Sequence, residues 1–358
     1  VKRILSHADA EKRRQINQIL HYPEDSAGTI MTTEFVELKS TFTAEDAFKT
    51  IRRTGLEKET IYTCYVTDDK RVLIGVVTVK DMLLAGEDAI IGDIMDTKPI
   101  YVYTDDDKED VMKAMTKYDF LAMPVVDKET RLVGIVTIDD AMDVLQDEDT
   151  EDIELMAAIT PSDKPYLKTG VFETWRSRII WLMLLMVSAT FTSRILTHFE
   201  DALASLPILV AFVPQLMDTG GNAGGQASVS VIRALSLGDI QMKDFMRVLW
   251  KEFRVALLCG LTLAVVNFVK MMIFNDVSRS VYGVSMSLII SAVVCVTIAL
   301  AVVIAKVIGS MLPILAKRIG FDPAVMASPL ITTIVDVVSL LVYFLISTTV
   351  LSHAGLAL

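Results

Sequence analysis

Leu73-Ile-Gly-Val-Val-Thr-Val-Lys-Asp81 recurs as Leu132-Val-Gly-Ile-Val-Thr-Ile-Asp-Asp140, and Ile30-Met-Thr32 recurs as Ile94-Met-Asp96. Such self-similarity means two copies of one folding unit in tandem. In each copy a helix-like stretch (Ala44 to Thr54; Lys108 to Lys117) precedes a β-prone run (Tyr62 to Val66; Met123 to Val126) and a turn carrying Asp and Lys. The quoted segment then supplies a strand, Val-Gly-Ile-Val-Thr in the second copy, leading into another helix. The expected fold here is α/β, with copies over 30–88 and 89–146 after a leader over 1–29.

These residues resemble a pair of cystathionine-β-synthase-type (CBS) domains, which implies a module that senses adenosyl nucleotides or ions. In nucleotide-binding members a Thr-x-x-Asp at the strand-to-helix turn holds the ribose, because a carboxylate accepts both hydroxyl hydrogen bonds. Thr78/Asp81 and Thr137/Asp140 have that spacing. The same residue types also cap helices, and at this point both readings stay open.

Beyond the repeat the charge becomes one-sided. No Lys or Arg occurs from Leu132 through Asp163, while Asp139, Asp140, Asp143, Asp147, Glu148, Asp149, Glu151, Asp152 and Glu154 accumulate. On a helix, Asp140 with Asp143, and Glu148 with Glu151 and Asp152, share a face, and like charges there repel. A lysine four residues on would offset the repulsion, and none is present, so a divalent cation is one source of the missing charge. Carboxylates without His or Cys favour Mg²⁺ or Ca²⁺. A solvated acidic helix over 147–174, connecting the repeats to the carboxyl-terminal half, is the alternative.

The carboxyl-terminal half is apolar. The whole chain is 52% hydrophobic and 22% charged, with a mean hydropathy of +0.47, a mixture that implies two solvents. Residues up to 170 hold 21 basic and 35 acidic side chains, and the rest hold 13 and 10, so the acidity belongs to the repeat half. Five spans are expected, near 175–197, 203–233, 253–275, 284–313 and 324–352, within an all-α domain over 175–358. With the repeats in the cytosol, Arg176, Arg178, Arg233, Lys243, Arg247, Lys251, Arg254, Lys317 and Arg318 fall on the cytosolic side. This satisfies the positive-inside rule and places the carboxyl terminus outside.

Two spans are polar where lipid-facing helices are not. The second carries Pro214 and then Asp218-Thr-Gly-Gly-Asn-Ala-Gly-Gly-Gln226; its glycines allow close helix approach or exposed carbonyls. Packing would not explain Thr219, Asn222 and Gln226, which read as pore or interface lining. The fifth opens with Asp322-Pro-Ala324, a cap followed by Pro at the first helical position, and continues through Ser328-Pro329 and Thr332-Thr333 to Asp336. A carboxylate at a helix centre costs roughly 2.5–3.5 kcal/mol on insertion scales, so Asp336 is expected to face a bundle interior or a hydrated cation route. In a continuous helix Pro329 would free the carbonyl of Val325, four residues earlier, and Asp336 lies seven residues after Pro329, about two turns further along.

The order of tandem CBS repeats and apolar spans, with Thr219-Gly-Gly-Asn-Ala-Gly-Gly-Gln226 and Ser-Pro-Leu-Ile-Thr-Thr-Ile-Val-Asp336, closely resembles the MgtE family of magnesium channels. The resemblance departs at the front, where the family carries a helical N-terminal domain. It implies a homodimer in a lipid bilayer with the ion path on its two-fold axis. Asp336, with Thr332 and Ser328, would hold a largely hydrated Mg²⁺, lined by Pro214, Thr219, Gly220, Gly221, Asn222, Gly224, Gln226 and Asp322. It further implies regulatory Mg²⁺ on Asp107, Glu109, Asp119, Asp140, Asp143, Glu148, Glu151 and Asp152, with ATP or another adenine nucleotide as a second regulator.

Other classes fit less well. Four histidines and no readable nucleophile-base motif argue against an enzyme, and the acidic half would repel nucleic-acid phosphates. Cys64, Cys259 and Cys295 are too scattered for a disulfide framework. Val1 begins no basic start and short apolar core, so no signal peptide is read. The remaining alternatives are a membrane-anchored CBS nucleotide sensor that conducts nothing, and a transporter of another divalent cation.

Overall fold

The computed structural model describes residues 20–162, 164–274, 276–277, 279–326 and 328–353. The chain divides into two compact units, Val1–Asp149 and Thr150–Leu358.

The first unit contains two sheets of one design. β1 (Val36–Lys39) lies parallel to β2 (Thr63–Thr67), which pairs antiparallel with β3 (Leu73–Thr78); β4 (Val102–Tyr103), β5 (Ala122–Val126) and β6 (Leu132–Thr137) repeat that order. Even the register shifts correspond, falling between Val66 and Thr67 and between Val125 and Val126. Both hairpins turn in the same way. Asp68 Oδ1 accepts from the Lys70 and Val72 amides, and Asp127 Oδ1 from those of Glu129 and Arg131. These Asx turns hold Arg71 and Thr130 in the left-handed region, at φ 64° and 58°.

The helices of this unit are α1 (Ala27–Ile30), α2 (Ala44–Thr54), α3 (Val79–Leu84), α4 (Ile91–Ile94) and α5 (Lys108–Tyr118), and α6 (Ile138–Met156) begins in it and ends in the second. Those expected from the repeat, α2 and α5, begin where the sequence places them because Thr43 and Asp107 cap them, accepting from the Asp46 and Glu109 amides.

The leading turns are exchanged between the copies. Ala27 and Met31 are buried with Val111, Met123 and Val136 of the second copy, and Thr32 exchanges backbone hydrogen bonds with Ile135. Ile91, Ile94 and Met95 pack on the first copy, where Asp96 pairs with Val76. Gly75 and Gly134 make room: a Cβ at either would fall within 3.0 Å of its facing methionine and backbone carbonyl. Each sheet is therefore completed by a segment that precedes the other copy.

The acidic segment differs from expectation. Instead of one connecting helix over 147–174, α6 runs from the end of β6 to Met156, and Ala158 at φ 54° terminates it. Pro161 and Pro165 lack the amide donors a longer helix would need, and a 3₁₀ turn (Tyr166–Lys168) precedes the next helix.

The second unit adds α7 (Val171–His198), α8 (Glu200–Ser205), α9 (Ile208–Ser236), α10 (Phe245–Phe274), α11 (Arg279–Arg318) and α12 (Ser328–His353). Among the described residues, four helical stretches are long and apolar enough to cross a bilayer: 171–198, 242–274, 281–318 and 329–350. The expected count of five is thus not reached by composition. α9, over the second expected span, is 29 residues long, but Asp218, Asn222 and Gln226 lower its hydropathy. It starts at Ile208 rather than 203 because Leu206 and Pro207 separate it from α8.

α9 is nonetheless central in its unit, packing against α11 and α12. Leu209, Phe212 and Leu216 are buried with Ile290, Val294 and Ile298 of α11 and with Leu340, Tyr343 and Phe344 of α12. The Tyr343 hydroxyl donates to the Leu209 carbonyl at 2.9 Å, and Gln215 Nε2 donates to Asn267 Oδ1 of α10 at 2.7 Å. With no water in a bilayer core to satisfy them, such groups tie helices together.

Candidate functional site

α9 carries two faces with different work. Gly220, Gly221 and Gly224 are buried against α12, where an added Cβ would reach Val335 at 3.0 Å, Thr332 at 3.0 Å and Ile331 at 2.9 Å. A Cβ on Gly309 of α11 would strike the Gly224 carbonyl. These glycines let three helices approach closely, and the lining role expected of Gly220, Gly221 and Gly224 does not match their burial. Pro214, Asp218, Asn222 and Gln226 recur every four residues on a different stripe and are exposed, with Thr219 half-buried beside them. Asn222 Nδ2 donates to Asp218 Oδ1 at 3.1 Å.

Asp336 is half-buried on α12, one residue from the Val335 that packs on Gly220. Among the described residues no basic group lies within ion-pair range of its carboxylate. The Thr332 and Thr333 hydroxyls donate to the Pro329 carbonyl at 2.9 and 3.1 Å, so that carbonyl is already engaged. The Ser328 side chain lies outside the described residues. The continuous fifth span expected from Ala324 is in fact broken. Asp322 Oδ1 accepts from the Ala324 amide at 2.7 Å and caps only a 3₁₀ turn, Pro323–Met326, after which α12 restarts at Ser328. Pro329 thus sits in a first turn, where no amide donor is required, and frees no mid-helix carbonyl of Val325.

In the first unit most acidic candidates have structural partners. Asp107 caps α5, Asp119 ends it in the left-handed region at φ 55°, and Glu109 pairs with Lys113 at 2.7 Å. Asp140 accepts from the Thr137 hydroxyl at 2.8 Å, while Asp143 is exposed. Thr78 and Asp81 form a reciprocal capping box on α3, so both Thr-x-x-Asp pairs already serve the starts of their own helices.

Glu148 is not uncompensated, as the sequence had implied. Lys108 Nζ lies 2.9 Å from Glu148 Oε1 and 2.6 Å from Asp25 Oδ1, supplying from α5 the positive charge missing on α6. Burial pulls the Lys108 ammonium down, but Asp25 and Glu148 outweigh it and hold it above its usual range. Burial pushes the Glu148 carboxyl up, and Lys108 offsets this only in part because Glu109 adds to the rise.

Glu151 is exposed and Asp152 half-buried in the second unit, where Asp152 Oδ2 accepts from Ser236 at 3.5 Å and Leu155 and Met156 pack against Ile232 and Ala324. Among the described residues no three His, Cys, Asp or Glu side chains gather as a metal site. The candidate donors are all carboxylates, which suits Mg²⁺.

One polar group the spans contain was legible in the sequence and missed. Lys306, within the apolar run of α11, is 5% exposed.

A multi-pass membrane protein with a paired α/β module, a glycine-packed helix bundle and an intramembrane carboxylate belongs to the class of cation transporters. The divalent cation transporter model MgtE matches residues 213–346, and the CBS domain model matches 27–88 and 91–147. The magnesium transporter MgtE of Thermus thermophilus is 40% identical over 342 residues, covering 96% of this chain and 74% of that protein. Magnesium transporters MgtE of Enterococcus faecalis and Bacillus subtilis are each 33% identical, covering 94% and 96% of this chain and 71% and 74% of theirs. The chain belongs to the MgtE family of magnesium transporters. It also resembles a solved cytosolic domain of the Mg²⁺ channel MgtE in complex with ATP, with 41% identity and a TM-score of 0.39, covering 40% of this chain and 58% of that one.

Proposed function

We propose that two copies of this chain form a Mg²⁺-conducting path between α9 and α12, with Asp336 of each copy facing the ion. The observation that carries this reading is the exposed stripe of Pro214, Asp218, Asn222 and Gln226 on a helix inside the apolar unit. Lipid does not tolerate such a stripe, so it faces water or a second copy. Mg²⁺ sheds its water reluctantly and is held by few carboxylates, which suits one Asp336 per copy acting on a hydrated ion. Asp336→Ala should abolish Mg²⁺ flux into proteoliposomes; retained flux would remove Asp336 from the path.

The acidic face supplies regulation in this reading. In this reading Mg²⁺ draws together Asp107, Glu109, Asp119, Asp140, Asp143, Glu148, Glu151 and Asp152, of which Glu109 and Glu148 also pair with Lys113 and Lys108. Each unit-charge pair at about 4 Å is worth about 1 kcal/mol in water and more near protein. High cytosolic Mg²⁺ then favours a closed path, and low Mg²⁺ an open one. Neutralising Glu151 and Asp152 together should weaken inhibition by Mg²⁺ in patch recordings.

An adenine nucleotide at Thr78/Asp81 or Thr137/Asp140 is a second regulatory reading, favoured by the crystallised ATP complex of the relative's cytosolic domain. Calorimetry with ATP on the full chain tests it.

A further inference from the structure

The exposed stripe of α9 borders two cavities whose other walls come from α10 and α11, helices to which the proposed path assigns no role. One, of about 560 Å³, is lined by Asp218, Asn222, Gln226, Thr262 and Lys306; the other, of about 790 Å³, by Asn222, Gln226, Ser230, Glu252 and Lys306. They share Asn222, Gln226 and Lys306, and so form successive stations along one cleft between α9, α10 and α11, in which these polar side chains stand among apolar ones such as Leu258 and Val302. Lys306 is the residue both stations share from α11, and it is 5% exposed. Among the described residues no carboxylate lies within ion-pair range of it. An intramembrane lysine without a partner is costly, and such residues generally mark an ion or substrate route.

The cleft is lined by two carboxylates, Asp218 at one station and Glu252 at the other, and by Lys306 at both. A fixed positive charge there lowers the local concentration of any mobile cation, and a doubly charged ion feels it twice as strongly as a monovalent one. It also leaves the polar stripe less negative than Asp218 and Glu252 alone would make it. We infer that Lys306 is a fixed intramembrane charge that restrains cation occupancy beside Asn222 and Gln226 and so limits conduction. It positions the field of the path and touches no ion. This inference rests on the proposal that the α9 stripe lines the ion path.

The test is Mg²⁺ flux into proteoliposomes carrying the full chain, Lys306→Gln, Lys306→Arg and Lys306→Gln with Glu252→Gln, each beside its Asp336→Ala derivative. Lys306→Gln should raise flux about fourfold, the effect of a unit charge on a divalent ion at roughly 10 Å through a water-like medium. Lys306→Arg should keep flux near the parent level, and adding Glu252→Gln should reverse part of the gain. The gain should exceed that for a monovalent cation in the same vesicles. Damage to folding lowers flux, so a gain cannot arise from it; Lys306→Met, which keeps the aliphatic stem, replaces Lys306→Gln if the latter does not fold. Unchanged or reduced flux in folded neutral variants, with a parent that conducts through Asp336, would overturn the role of Lys306 alone. A parent that conducts nothing, or conducts independently of Asp336, would overturn the ion-path proposal and this inference with it.

Discussion

Lys108 holds Glu148 at 2.9 Å from a different helix, so this half-buried carboxylate of the acidic run carries its own counter-charge within the first unit. Under the proposed regulation, Mg²⁺ and Lys108 compete for the same oxygen. Lys108→Met should raise the Mg²⁺ affinity of the chain severalfold while lowering stability by about 1–2 kcal/mol, between the values for surface and buried pairs. Titration calorimetry and thermal unfolding read the two effects separately; unchanged Mg²⁺ affinity would mean that Glu148 is no part of the regulatory set.

The same pair has a defined response to pH. The raised Lys108 contributes stability that is fully present below the ordinary lysine range and is lost only as pH rises through its higher folded value. Glu148 is also raised, so the folded chain takes up its proton before the unfolded chain does. Stability should therefore gain an increment as pH falls from neutrality toward the ordinary glutamate range, and Glu148→Gln should lack it. Denaturant unfolding of both proteins across that window provides the comparison.

Gly309→Ala should be among the most damaging single methyl additions in the membrane unit, because the new Cβ meets the Gly224 backbone rather than a side chain able to turn away. A loss of about 1–3 kcal/mol is expected from overpacking, with flux lost alongside. Gly86→Ala, where nothing lies within 4 Å, serves as the control. Thermal stability in detergent separates the two.

Gln215 and Asn267 form a pair whose worth a double-mutant cycle can measure. Either Leu replacement alone takes the partner from the other amide, buried in Asn267 and half-buried in Gln215, and the coupling should be about 0.6–1.7 kcal/mol, as for hydrogen bonds between membrane helices. No coupling in the cycle would mean that the 2.7 Å contact adds nothing.

Thr78→Ala should cost about 1 kcal/mol by uncapping α3, whether or not a nucleotide binds. Asp81→Ala should additionally weaken ATP binding at least tenfold if its carboxylate also receives the ribose. Calorimetry showing equal ATP affinity in both proteins would leave the capping box as its whole role.

Much of this was legible in the residues. The recurrence of Leu73–Asp81 as Leu132–Asp140 and the β-prone runs before it marked the antiparallel pair of each sheet, though not β1 or β4, and the helix-like stretches from Ala44 and Lys108 begin where α2 and α5 do, because strand and helix patterns are local properties. Asp336 stood out for its cost in an apolar run. The features that stayed hidden depended on distance in the chain. Lys108 lies forty residues before Glu148, beyond any helical spacing rule. The glycines of α9 could be divided between packing and lining only once Val335 and Thr332 were seen against them. The end of α6 at Met156 was legible in Pro161 and Pro165, but the charge pattern drew the helix further. Lys306 needed only to be noticed.

The exchanged leading turns bear on how the chain is born. When the first copy has been synthesised, its sheet still lacks Ile91, Ile94 and Met95, which cover Gly75 and the core around Val77. Ala27 and Met31, made earlier, must wait for a second sheet that does not yet exist. Neither copy can finish alone, so the pair matures as one cooperative event late in synthesis, and a fragment cut between them should be a chaperone client rather than a half-size domain.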